Sequence, residues 1–181
     1  MTTNDTTNDT TNDTTNDTTN GTANDTAAPA PGSGPRTRAA RKANALRILA
    51  EELDVWVATA DPAGGGPTLM PLTFWWDGEA VWLATRPTNP TGANLAATGT
   101  VRLCFGTTRD VVHVEGDVTA FTADALPPGV GDSFAAKDGW DPRKDPEPYD
   151  FYRVAPRQLR AWGTVPELRD RLLMKAGRWL V

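Results

Sequence analysis

The most constraining stretch of the chain is residues 67–95, PTLMPLTFWWDGEAVWLATRPTNPTGANL, where two apolar runs flank an Asp-Gly pair. Side chains alternate between the two faces of a strand, and in residues 67–76 both faces are largely apolar, which predicts a mostly buried strand. Asp77-Gly78 offers the positive φ that a two-residue hairpin turn demands, and residues 81–85 then return as the partner strand. The stretch therefore predicts an antiparallel β-hairpin.

A helix start follows the hairpin. Asn89 is a natural N-cap, and Pro90 suits the first helical position because its missing N–H costs nothing there. The next amides, of Thr91, Gly92 and Ala93, have no helical carbonyl to pair with. Such a helix start is a potential anion site.

The first 35 residues differ in composition from the rest. Residues 2–26 repeat a Thr-Thr-Asn-Asp unit, and the following stretch, AAPAPGSGP, has the composition of a linker. This segment has almost no apolar surface to offset its ordering entropy, so we expect a disordered tail over residues 1–35 and one domain over residues 36–181. Its Asn-x-Thr triplets match a glycosylation pattern, which we interpret as a by-product of the repeat.

Charge argues against one class of partner. The chain has 23 acidic and 18 basic residues, and five of the acids, with no base, lie in the tail. The remaining body is neutral, whereas nucleic-acid-binding domains normally carry a basic excess. We interpret the one basic run as a solvated face of the first helix; it comprises Arg36, Arg38, Arg41, Lys42 and Arg47.

The chain shows neither a signal peptide nor an apolar run long enough to span a membrane. Its single Cys excludes an internal disulfide and fits a reducing compartment. We therefore expect a cytoplasmic protein that does not enter membranes.

The other segments complete a mainly β pattern. Helical spacing predicts amphipathic helices at residues 36–53 and, weakly, at 165–180, with a short helix near residues 130–137. A further short helix is predicted from Pro90 to near Thr98-Gly99, where Gly suits the left-handed C-terminal position. Further strands are predicted at residues 55–59, 101–105, 110–121 and 149–162. Six or so strands joined by short turns indicate a closed antiparallel β-barrel with peripheral helices.

Catalytic motifs are sparse. With one His and one Cys, the chain cannot form a His-rich or Cys-rich metal site. His113 is interpreted as a locally hydrogen-bonded strand residue rather than a catalytic base, and Cys104 as a small core residue rather than a reactive thiol. The chemistry would then come from a bound cofactor rather than from protein nucleophiles.

The order of these segments resembles the pyridoxamine 5′-phosphate oxidase-like, FMN-binding split β-barrel family, and within it the actinobacterial flavin or deazaflavin oxidoreductases. The resemblance covers residues 45–181. Its pieces are Gly66-Pro67 and the strand after it, Asp77-Gly78, Val81–Thr85, Asn89-Pro90-Thr91-Gly92-Ala93-Asn94-Leu95, Val114-Glu115-Gly116, Pro156 through Trp162, and Leu168-Arg169-Asp170-Arg171. It implies a six-stranded antiparallel split barrel.

The resemblance also implies a cofactor site. The flavin ring would lie against the second strand, near Met70, Pro71, Leu72 and Thr73. Its phosphate would be held by the loop that contains Thr85, Arg86, Asn89, Thr91 and Gly92. Trp162 and Arg171 match the family's C-terminal residues that touch flavin. Family members are homodimers with sites between subunits, so a homodimer is expected.

Departures from the family pattern bear on activity. Pro90, Thr91 and Ala93 stand where the true oxidases have basic phosphate ligands, and Met70 and Trp75 replace cationic flavin contacts. Glu167 and Arg169 fall at the oxidases' substrate-binding Arg and His, so pyridoxamine phosphate oxidation is not expected. Two hypotheses remain: an FMN- or deazaflavin-dependent oxidoreductase acting on an unknown small molecule, or a non-catalytic flavin-binding or degenerate split-barrel dimer with a carrier or structural role.

Overall fold

The computed structural model describes residues 34–181, so most of the tail predicted to be disordered lies outside the described residues. Its helices are α1 (Arg38–Glu51), α2 (Pro90–Thr98) and α3 (Val130–Asp138). Its strands are β1 (Asp54–Ala60), β2 (Pro67–Trp76), β3 (Val81–Thr85), β4 (Thr100–Thr107), β5 (Asp110–Thr122), β6 (Asp150–Trp162), β7 (Leu172–Lys175) and β8 (Arg178–Trp179). Short 3₁₀ turns occur at Ala123–Ala125, Pro142–Lys144 and Val165–Asp170.

Six strands form a closed antiparallel barrel. They follow the order β3-β2-β1-β4-β5-β6, and pairing of β3 with β6 closes the ring. β6 is long enough to serve two neighbours along one edge, because β3 pairs with residues 150–154 and β7 with residues 158–160. The predicted mainly β split barrel is confirmed.

Inward side chains of all six barrel strands build the core, and α1 adds Ala45, Ile48 and Leu49 to it. A second apolar cluster lies on the outer face of β3 and β6. There Trp82 and Phe151 are covered by Val130 and Phe134 of α3. The excursion between β5 and β6 therefore shields one outer face of the barrel.

The hairpin prediction is confirmed with a one-residue offset. Beyond the Trp76–Val81 pair the Asp77 amide donates to the Ala80 carbonyl, so the two residues at the tip are Gly78 and Glu79, and only Gly78 has a positive φ, of 101°. Asp77 acts instead through its side chain, which accepts hydrogen bonds from the amides of Glu79 and Ala80. Asp commonly stabilises turns in this way, by accepting hydrogen bonds from backbone amides that follow it in the chain.

The predicted burial of β2 is wrong. Of its ten residues only Phe74 is buried, and Leu69 and Met70 are 59% and 48% exposed. β3 pairs only with residues 74–76, so the edge of residues 67–73 that faces away from β1 has no strand partner in the described part of the chain. The pattern of apolar residues in a strand shows which faces are suited to burial, but it does not show whether another segment covers those faces.

Two other predictions fail, and both involve the C-terminal segment. Residues 165–180 form a 3₁₀ turn and the β7–β8 hairpin rather than a helix. The basic run is not simply a solvated face, because Arg41 is only 3% exposed and donates to the carbonyls of Ala161 and Glu167. Arg38 likewise donates to the carbonyl of Leu172. These arginines fasten α1 to the end of β6.

No helix in residues 34–181 is long and apolar enough to cross a membrane.

Candidate functional site

β3 separates from β2 after the Phe74–Leu83 pair. Beyond this pair, β3 continues through Thr85 along β6, while β2 remains paired only with β1. The loop after β3 leads into α2, which packs against β1, β5 and β2. We name the space beside the open edge of β2, residues 67–73, the β2 cleft; the loop after β3 begins at the point where this edge becomes unpaired.

The four β2 residues predicted to meet a cofactor ring all lie along this open edge. Met70 and Pro71 are exposed, and Leu72 and Thr73 are partly buried. The Thr73 hydroxyl donates to Asp54 at 3.1 Å. The open edge leaves backbone N–H and C=O groups of β2 available to a planar ligand, as unpaired strand edges do.

The loop between β3 and α2 has the predicted helix start. Pro90 occupies the first turn, and Gly99 ends the helix with a left-handed φ of 62°. Asn89 occupies the N-cap position, but its side chain makes no capping bond and donates instead to the Thr85 hydroxyl at 3.3 Å. The first-turn amides, including those of Thr91 and Gly92, are thus left without a side-chain cap.

Gly92 is required by close packing. A Cβ at this position would overlap the carbonyl oxygen of Arg86 and lie 2.9 Å from the Tyr152 hydroxyl. Gly92 and Thr91 are both buried, with Thr91 only 3% exposed. The backbone of the loop is therefore held tightly against β6.

Tyr152 is a site residue that sequence reasoning missed. Its ring is fully buried, and its hydroxyl has no hydrogen-bond partner in the described structure. Burial, and secondarily the charge of Asp150, raises the pKa of Tyr152 to about 12, so the hydroxyl stays protonated. Buried polar atoms are normally paired, so this orphaned atom beneath Gly92 is a candidate ligand contact. No sequence signal distinguishes this tyrosine from an ordinary core residue.

Arg86 is already engaged. Its Nη1 lies 2.6 Å from Glu147 Oε2, its Nη2 lies 3.5 Å from Asp145 Oδ1, and its guanidinium lies 5.3 Å from the centre of the Tyr149 ring. The predicted phosphate ligand is thus paired with two carboxylates from the segment that precedes β6.

Trp162 and Arg171 form a separate pair. The Arg171 guanidinium lies 5.9 Å from the centre of the Trp162 ring, and its Nη1 donates to the carbonyl of Leu168. Trp162 ends β6, ten residues beyond Tyr152, which is roughly 30 Å along an extended strand. Within one chain, Trp162 and Arg171 therefore lie far from Tyr152 and the start of α2.

Glu167 is buried rather than facing a substrate. Its carboxylate is only 1% exposed and accepts hydrogen bonds from Arg36 Nε and Nη2 and from the backbone amides of Arg36 and Gly163. These bonds, those from Arg36 first, lower the pKa of Glu167 to about 2. Glu167 therefore anchors the segment that leads into α1.

Cys104 is not a core residue. It is half-buried on the outer side of β4, directly across from His113 on β5. Burial raises the pKa of the Cys104 thiol and lowers the pKa of His113. Among residues 34–181 no group of three or more metal-ligating side chains occurs.

A separate cavity of about 430 Å³ lies beyond the point where β1 and β4 stop pairing, at Ala58 and Arg102. It contains none of the predicted site residues. Of its charged lining residues, Glu115 is paired with Arg160 at 2.7 Å and Arg157 with Asp117 at 3.3 Å. The cavity is therefore distinct from the β2 cleft.

Comparison with solved structures supports the barrel. General Stress Protein 26 from Bacillus anthracis matches with a TM-score of 0.54 and 16% identity, covering 67% of this chain and 92% of the other. A conserved hypothetical protein from Mycobacterium tuberculosis matches with a TM-score of 0.52 and 21% identity, covering 71% and 87%. An F420 reductase matches with a TM-score of 0.50 and 20% identity, covering 62% and 93%. At these identities the likeness concerns the fold.

A search of curated protein sequences finds no match. The family pattern described as pyridoxamine 5′-phosphate oxidase, by contrast, matches residues 42–163, which is more than half of the chain and includes α2 and all six barrel strands. The chain therefore belongs to the pyridoxamine 5′-phosphate oxidase family.

Proposed function

We propose that this protein binds FMN or a deazaflavin in the β2 cleft and acts as an oxidoreductase on a small molecule. The observation that carries the proposal is the convergence of an open strand edge, an uncapped helix start and the orphaned Tyr152 hydroxyl. A flavin joins a planar ring to an anionic tail. The open strand edge suits the ring, and the helix start with the Tyr152 hydroxyl suits the tail. When bound, the ring supplies the hydride chemistry.

Each residue has a defined part in this proposal. The β2 backbone beside Met70 and Pro71 orients the ring, and the exposed side chain of Met70 excludes water from one side of it. The amides of Thr91 and Gly92 bind the anionic tail, with the positive end of the α2 dipole behind them. Tyr152 donates a hydrogen bond to the same group.

A homodimer would complete the site. Trp56, Leu69 and Pro71 form an exposed apolar patch, with Trp56 and Leu69 49% and 59% exposed, and Trp56 pairs with Pro71 across β1 and β2. Isologous pairing is the commonest way to cover such a patch. A second copy would also bring Trp162 of the partner subunit, which is remote within one chain, toward the ring.

Titration of the purified apo-protein with FMN and with a deazaflavin, followed by tryptophan fluorescence, tests cofactor binding. We expect micromolar affinity for at least one of them, and weaker binding in Tyr152→Phe. Absence of binding of both at high micromolar concentration would reject the proposal.

Light scattering of the full chain, with Leu69→Asp as the comparison, tests the dimer. A monomeric wild-type protein would reject the homodimer.

A non-catalytic flavin carrier is the second candidate. It is favoured by the pairing of Arg86 with Asp145 and Glu147, which removes the only cation of the loop from the cofactor. Steady multiple turnovers of reduced cofactor with a panel of electron acceptors would reject the carrier role. A single oxidation per bound cofactor would reject the enzyme.

A further inference from the structure

The loop that begins α2 contains one cation. Across residues 85–98 the sequence TRPTNPTGANLAAT offers Arg86 and no other basic side chain. The cofactor's tail must therefore meet Arg86 or rely on backbone amides and neutral hydroxyls.

Arg86 is held by a short segment that we name the acidic strap, residues 145–149, with the sequence Asp-Pro-Glu-Pro-Tyr. Glu147 Oε2 lies 2.6 Å from Nη1, Asp145 Oδ1 lies 3.5 Å from Nη2, and the Tyr149 ring packs beneath the guanidinium. The Nε of Arg86 is buried and has no partner in the described structure. The strap thus surrounds the guanidinium on several sides.

The strap is organised before any ligand arrives. Asp145 Oδ1 also accepts the Glu147 amide at 3.0 Å, which fixes the turn between the two carboxylates. Prolines at positions 146 and 148 restrict φ on either side of Glu147. Presenting the two carboxylates to Arg86 therefore costs little conformational entropy.

Charge at this end of the cleft is consequently negative. One guanidinium and two carboxylates sum to −1, so a phosphate dianion approaching the α2 amides meets repulsion where a free arginine would attract it. The Glu147 contact is nevertheless partly in water, with the side chain 65% exposed. An exposed ion pair is weak, so the strap acts by charge rather than as a permanent covering.

We infer that Asp145 and Glu147 determine cofactor specificity by opposing a terminal phosphomonoester, so that the cleft favours flavins whose tail carries no charge or a single negative charge. This inference rests on the proposed flavin function. It names the class of ligand that the site accepts and the two side chains that select it.

Paired titrations with FMN and riboflavin test the inference, since the two ligands differ only in the phosphate. In the wild-type protein we expect affinities within about threefold of each other. The ratio in favour of FMN should rise by about tenfold in Glu147→Gln and by about tenfold again in Asp145→Asn/Glu147→Gln, as expected for a phosphate dianion roughly 7 Å from each carboxylate in the dielectric of water. Added salt should shrink both increases.

Two controls isolate the strap. Glu79→Gln removes an exposed acid from the β2–β3 turn and should leave the ratio at the wild-type value. Arg86→Gln/Glu147→Gln should lose the gain seen in Glu147→Gln, because the freed guanidinium is absent. A wild-type preference for FMN above about tenfold, or a ratio unchanged in both strap variants, would overturn the inference.

Inorganic phosphate separates this inference from the proposed function. The Arg86 Nε–H resonance, followed by NMR, should shift at phosphate concentrations about a hundredfold lower in Asp145→Asn/Glu147→Gln than in wild type, the same factor as for the FMN to riboflavin ratio. If no variant binds a flavin but this difference is present, the proposed function fails and the charge inference stands. Equal phosphate responses would overturn the inference whatever the flavins do.

Discussion

Two arginine–carboxylate clusters in this protein use the same chemistry for different ends. At the end of β6 near α1, Arg36 meets Glu167, whose side chain is 1% exposed and accepts hydrogen bonds from four nitrogen atoms. Beside α2, Arg86 meets Glu147, whose side chain is 65% exposed. The Glu147 contact, at 2.6 Å, is the shorter of the two, and the two arginines are about equally exposed, yet only the Glu167 carboxylate is shielded from water. Burial, rather than contact distance, makes an ion pair structural.

Removal of Glu167 should have the largest effect. Glu167→Ala removes the shared acceptor of four nitrogen atoms, three of Arg36 and the Gly163 amide, so we expect the free energy of unfolding to fall by about 3–4 kcal/mol. Urea unfolding followed by tryptophan fluorescence measures it. Glu147→Ala is the matched control at the exposed cluster. A loss below about 1 kcal/mol in Glu167→Ala would contradict the proposed structural role.

The second-largest effect should come from acid, which protonates Glu167 and lowers the free energy of unfolding. The folded-state pKa of Glu167, at about 2, lies below its ordinary value of 4.5, so its stabilisation is complete above pH 4.5 and is lost as pH falls toward 2. The loss amounts to about 3 kcal/mol for a shift of this size. The measurement is the difference in unfolding free energy between wild type and Glu167→Gln from pH 6 to pH 2.

The comparison of wild type with Glu167→Gln is needed because Asp141, paired with Arg143, also has a pKa of about 2 and would destabilise the protein over the same pH range. Both proteins contain Asp141, so its titration cancels in the subtraction. A difference that does not change with pH would show that Glu167 does not carry the acid dependence.

Packing of the α2 loop should give an intermediate effect. Gly92→Ala places a methyl group against the Arg86 carbonyl oxygen, so we expect a destabilisation of about 1–3 kcal/mol despite the better helix propensity of Ala. Gly66→Ala is the control, because a Cβ there meets no atom within 4 Å. Equal stability of the two variants would indicate that the loop can relax, and would weaken the contrast between its tight backbone and its exposed charges.

The smallest expected effect is at the strap. Glu147→Gln should change the free energy of unfolding by less than about 0.5 kcal/mol, because an exposed ion pair gains little over hydrated charges. The same urea experiment measures it. A loss above about 2 kcal/mol would make the strap a structural element like the Glu167 cluster, rather than a determinant of ligand charge.

Local signals in the sequence predicted most of the fold. The hairpin, the α2 start at Pro90 and its end at Gly99, and the short α3 helix all follow from residues adjacent in the chain. The helix predicted over residues 165–180 failed because weak apolar spacing there reflects strand pairing of β7 with the distant β6. Propensity over a short segment yields to such tertiary pairing.

The candidate site was predictable only in part. The sequence and its family resemblance predicted that Met70 through Thr73 and Thr85 through Gly92 bind one cofactor, and in the structure both groups adjoin the point where β3 leaves β2. The roles of Tyr152, Asp145 and Glu147 were not predictable, because the residues they contact, Gly92 and Arg86, lie 59 to 61 positions away in the chain. That these residues meet a cofactor remains a prediction.

By itself, the sequence determined the alternation of strands, the turns, the two cap positions of α2 and a body of neutral net charge, since each depends on the residue type at a position and its near neighbours. The tertiary structure alone decided which apolar face of β2 stays open, which arginine is buried and which carboxylates oppose Arg86. These outcomes depend on which distant segments share a surface, and burial there sets the strength of every charge.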